Sequence, residues 1–218
     1  MNSRSLWVAG GCLMVVALVA TLPLRLVMPD GLFTARAVSG SIWSGGLTDV
    51  GLGGVALGTL RTGYRPLARL HVENDSGLVA TLGRSGQIEA LNGSVATSDA
   101  LSPFPVESLE FRQVSLVADE SGCQSAAGRI RLTLAAAGAG LPPRTAMIGP
   151  LRCDKGELAV RLSSQSGLDT IEFRLRPNRQ FQAVMTVRPA SADAANQLQA
   201  LGFRQAATGY QLAVSGQL

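Results

Sequence analysis

The residue types in this chain able to do chemistry are few, and their spacing decides how much they could do. His71, the sole histidine, sits in "ARLHVE". The strand-type alternation of that stretch places it beside Glu73 on a polar face. A catalytic base needs a nucleophile or a second orienting group within reach, and no second histidine and no nearby cysteine supplies one. His71 is therefore read as a solvated strand residue. Glycine clusters such as "GLGGVALG" lack the Gly-Lys-Ser/Thr of a phosphate loop, and no helix follows to offer its N-terminus, so they are read as turns. Asp49 and the pair Asp119 and Glu120 are isolated and form no calcium-binding array. No catalytic residue, cofactor or metal site is expected.

The cysteines carry a different message. Cys12 lies inside an apolar run. The small residues before it superficially resemble a lipid-attachment site, but that run continues well past it, so the thiol is read as packed in a membrane. Cys123 and Cys153 are left as an even pair. Two cysteines thirty residues apart, with a lone histidine far upstream, supply neither the four ligands of a structural zinc nor the Cys-x-x-Cys of a redox site. On the exported side of a membrane, where conditions are oxidising, the pair is expected to be a disulfide. Closing such a loop stabilises a fold by roughly 3–4 kcal/mol.

The compartment follows from the leader. Between Arg4 and Arg25 there is no charge, and "LWVAGGCLMVVALVATL" is almost wholly apolar. About twenty helical residues span the roughly 30 Å of a bilayer core. A secretory signal peptide is the competing reading, but its cleavage after Ala20 would place Leu18 where a small residue is required. The retained span is the expectation: a cytoplasmic tail over 1–5, a transmembrane helix over 6–24, and a periplasmic β domain over 37–218. The positive-inside tendency, through Arg4, leaves the amino terminus in the cytoplasm.

The exported part reads as strands. In "GRIRLTLAA", Ile130, Leu132 and Leu134 alternate with Arg129, Arg131 and Thr133, and "GELAVRLSS" does the same with Leu158, Val160 and Leu162. "IEFRLRP" and "QFQAVMTV", joined through Pro177 and Asn178, predict a hairpin with Ile171, Phe173, Leu175, Phe181, Ala183, Met185 and Val187 inward. In "VESLEFRQVSLVA" the apolar phase slips, predicting a bulge near Arg112 and Gln113. Pro103 and Pro105 mark a possible division of the sheet into halves. One helix is expected in "PASADAANQLQALG", started by Pro189 and Ser191, with Leu198 and Leu201 on its apolar side and Gly202 as its stop. The fold class is mainly β: an N-terminal transmembrane helix, then a curved antiparallel sheet or sandwich with one late helix.

The net charge of +4 arises from basic residues that are nearly all arginine and are scattered. With no basic run and no interleaved aromatics, nucleic acid is excluded as a partner.

The order of these parts is similar to that of protein N of the bacterial type II secretion system, the general secretion pathway protein N family. It comprises one N-terminal anchor, "VSGSIWSGGL" with "GGVALGTLRTGYRPLARL", and the cysteine pair in "SGCQSAAGRIRLTLA" and "GPLRCDKGELAVRLSS". The motif residues are Gly40, Trp43, Gly45, Gly46 and Leu47. The resemblance implies a non-enzymatic accessory subunit of the cell inner membrane in Gram-negative bacteria, scaffolding export of folded proteins, with other secretion subunits as partners. Looser tryptophan-glycine strand openings also occur in AsmA-like envelope lipid-transfer proteins, which makes lipid binding the alternative. Trp43 is expected on the first strand, its ring covering apolar neighbours.

Overall fold

The computed structural model describes residues 35–41, 43–52, 55–65, 69–83, 87–97, 104, 106–134 and 146–217. The tail and span expected over 1–24 lie outside the described residues, as do Pro103 and Pro105. Among the described residues no helix is long and apolar enough to cross a membrane.

The chain forms β1 (Ala37–Ser41), β2 (Ser44–Leu52), β3 (Val55–Arg65), β4 (Arg69–Asn74), β5 (Val79–Leu82), β6 (Ile88–Ala96) and β7 (Val106–Asp119). It continues through β8 (Gly122–Leu134), β9 (Ala146–Asp154), β10 (Glu157–Ser164), β11 (Thr170–Leu175) and β12 (Gln180–Val187). Helix α1 (Ala192–Ala200), β13 (Arg204–Ala206) and β14 (Gly209–Gln217) follow. All fourteen strands belong to one antiparallel sheet, each beside its sequence neighbour until the end, where the order is β12-β14-β13. The architecture is thus one open meander rather than two stacked sheets, and it is not divided between β6 and β7. Thr97 closes that junction: its N–H donates to the Glu107 carbonyl at 3.1 Å and its fully buried hydroxyl to the Val106 carbonyl at 2.9 Å.

Period-two patterning sets the faces. Leu132, Leu134, Met147, Leu151, Val160, Leu162, Ile171, Met185 and Val187 fill the main core, which spans β7 to β12 and takes in Leu198 of α1 and Phe203. Burying each such side chain contributes about 1.5–3 kcal/mol. A smaller core, Leu47, Val50 and Leu60, serves β2 and β3. The hairpin of β11 and β12 pairs Leu175 with Phe181 and Ile171 with Met185, as the alternation requires. The bulge falls at Gln113, whose φ of +50° accompanies a register shift between Arg112 and Ser115. Its N–H is satisfied by the Asn92 side chain at 2.7 Å.

Helix α1 begins as its cap residues dictate, with the Ser191 hydroxyl accepting from the Ala194 N–H. It ends one residue earlier in its apolar stripe than expected. Leu198 is fully buried, but Leu201 is the C-cap and is 52% exposed. The chain reverses at Gly202, φ +90°, so that Phe203 rather than Leu201 enters the core, its N–H bonding back to the Leu198 carbonyl at 3.0 Å.

Cys123 opens β8 and Cys153 lies near the end of β9, and their sulfurs are bonded, with Cα atoms 5.4 Å apart. The β8–β9 ladder pairs Arg129–Thr133 with Ala146–Pro150. The covalent link therefore holds the two strands together beyond the hydrogen-bonded part, helped by the Cys123 N–H, which donates to the Gly156 carbonyl at 2.8 Å. Replacing both cysteines with serine is expected to lower stability by about 3 kcal/mol in denaturant unfolding. Peptide mapping after alkylation of the native, unreduced protein should find Cys123 and Cys153 unmodified; stoichiometric labelling of either would refute the link.

Candidate functional surfaces

The motif residues of the first hairpin separate into structural and exposed members. Val38 pairs with Leu47, and Gly40 with Gly45, across a turn of two residues that ends in Trp43. Gly40 has φ +85°, and a Cβ there would strike the Ser44 carbonyl oxygen and lie 2.9 Å from the Gly45 Cα, so only glycine fits. At Gly46 a Cβ would make ordinary contact with the Ser39 hydroxyl at 3.4 Å. Leu47 is buried in the smaller core. Trp43 is not on the first strand and not in the core. It lies in the turn, 46% exposed, edge-on to Tyr64 with ring centres 6.1 Å apart.

His71 lies on β4 two residues from Glu73, as alternation placed it, with 3.9 Å between its Nε2 and the Glu73 carboxylate. Among the described residues no group of three or more His, Cys, Asp or Glu is placed to hold a metal ion. Asp119 serves its own turn: its carboxylate accepts from the Ser121 N–H at 2.8 Å and hydroxyl at 2.6 Å. Those bonds hold its pKa below the usual 3.8.

Two features escaped the sequence reading. One is a pocket of about 470 Å³ lined by Arg174, Arg176, Gln180, Gln182, Ser215 and Gln217. Cross-strand register creates it, placing Arg174 opposite Gln182, and Gln182 opposite Ser215. Arg174 is already engaged by Asp154 at 3.0 Å and Glu157 at 3.4 Å, and Arg176 by Glu157 at 3.0 Å. The hydrogen bond to Asp154, then that to Glu157, raises the Arg174 pKa, so this charge is permanent and compensated. The second is Asp169, 8% exposed, whose N–H donates to the Ser164 hydroxyl at 3.2 Å. Burial, the largest influence, raises its pKa above 3.8.

The sheet edges are the remaining surfaces. All of β1 is exposed or half-buried. At the other end β13 covers only Gly209–Gln211 of β14, so Leu212–Gln217 have a strand beside them on the β12 side alone, among the described residues. Edges of this kind pair readily with other extended chains.

The described strands form one open antiparallel meander. The family model for type II secretion system (T2SS), protein N, matches residues 32–213, and the chain belongs to that family. It is accordingly a component of the type II secretion machinery, associated with the cell envelope and with other secretion subunits. No curated protein and no solved structure matches it.

Gly40→Ala is expected to lower stability by roughly 1–3 kcal/mol, whereas Gly46→Ala should stay within about 0.5 kcal/mol; parallel thermal melts compare them. For Asp169 the sign follows from its raised pKa: the folded state binds the proton more tightly than the unfolded one. Its contribution to stability is complete below 3.8 and lost as pH rises through the folded value. Asp169→Asn should remove that gain on acidification, whereas the opposing loss from Asp119 persists; melting temperatures from neutral to acidic pH would show the difference.

Proposed function

We propose that this chain is a non-enzymatic accessory subunit that scaffolds the secretion machinery. Residues 6–24 hold it in the inner membrane, and the β domain over 37–218 presents its edges to partner subunits in the periplasm. The observation that carries this reading is the family match over residues 32–213 together with a sheet open at both ends. Strand addition supplies backbone hydrogen bonds without requiring an extensive side-chain interface. Confinement to one membrane raises the local concentration of such partners, so weak contacts suffice. A lipid carrier of the AsmA-like kind needs a long unfilled apolar trough. Over β7 to β12 the apolar face is filled by its own side chains and by Leu198 of α1, which supports the scaffold.

Photo-crosslinking in intact membranes tests the reading, with probes at Ser39 on β1 and Ser215 on β14 and a control at exposed Glu172 on β11. Edge probes are expected to capture other secretion subunits and the control none. Capture of lipid alone, or equal capture at all three positions, would overturn it.

A further inference from the structure

The row Tyr64, Leu70, Leu82 and Ile88 runs across β3, β4, β5 and β6 at the same end of the sheet as the β1–β2 turn. All four side chains are half-buried, and neither core cluster described above includes them. At the end of this row Trp43 lies edge-on to Tyr64, with nearly half its surface exposed. At the rim, register sets Arg65 directly opposite Arg69. Glu89 pairs with Arg69 at 2.8 Å.

We propose that this end of the sheet rests on a lipid bilayer surface, with Trp43 and Tyr64 at headgroup level and Arg69 at the rim beside them. The inference rests on the membrane attachment proposed above. Aromatic rings with an apolar body and a polar edge, flanked by an arginine, are the side chains that favour the interface between hydrocarbon and water. The chain preceding the described residues says which surface is within reach. The apolar run ends at Leu24, twelve residues before β1. Twelve extended residues reach about 40 Å, whereas the five residues of β1 extend about 17 Å. The tether is therefore long enough for the turn end of the hairpin to face the membrane that the run enters.

The sequence contains two tryptophans, so Trp7→Phe leaves Trp43 as its remaining indole. This variant is reconstituted in vesicles of phosphatidylethanolamine and phosphatidylglycerol, and flotation checks that it travels with them. Lipids brominated near the glycerol end of the acyl chain are expected to quench Trp43 by about half or more, with iodide quenching falling in parallel. Replacing Arg69 with glutamine should weaken the lipid quenching. If the chain floats but Trp43 stays open to iodide and untouched by brominated lipid, the surface contact is wrong and the attachment stands. Shielding from both quenchers would mean a second copy covers the ring, which also overturns the proposal. A chain that fails to float removes both readings.

Discussion

An antiparallel meander buries backbone polar groups along its length but leaves an apolar face and two edges unresolved, and every other feature of this protein answers to that constraint. Over β7 to β12 the apolar face is filled by Leu134, Met147 and Met185, none more than 1% exposed, with Leu198 of α1 closing over them. The short helix earns its place through one fully buried leucine and the Phe203 that its glycine stop delivers. Over β2 and β3 the core holds three buried residues among the described ones. The exposed Trp43 lies beside this smaller core's half of the sheet.

Polar groups follow the same logic. Buried Asn74 bridges the turn after β4 to β3, accepting from the Leu78 N–H at 2.7 Å and donating to the Leu57 carbonyl at 3.2 Å. Arginine and carboxylate pairs lie on the solvent face, where they add modestly to stability. The Thr62 hydroxyl is buried without a hydrogen-bond partner among the described residues. It stands opposite Gly45 and Val72.

Much of this was legible in the amino-acid order because strand faces follow a period of two. The β11–β12 hairpin, the Gln113 bulge, the Ser191 cap and the Gly202 stop each rest on local stereochemistry that a few residues determine. Trp43 and Leu201 were misplaced for a common reason: each lies one step beyond a regular element, where a turn or a cap overrides periodicity. The pocket and the environment of Asp169 were invisible because cross-strand register brings their residues together. Sequence separation conceals such neighbours, as it conceals how little of β14 the short β13 covers.

The strand order also bears on how the molecule is assembled. From β1 to β12 each strand lies against the one synthesised just before it, so a chain emerging amino end first can lengthen its sheet one hairpin at a time, closing only short loops. The rule breaks at the carboxyl end, where β14 lies between β12 and β13. The final nine-residue strand is a wedge that must arrive before β12 gains its second neighbour. The strand order thus lets most of the sheet pair one hairpin at a time, and a chain clipped before β14 would expose the edge of β12 to whatever strand came first.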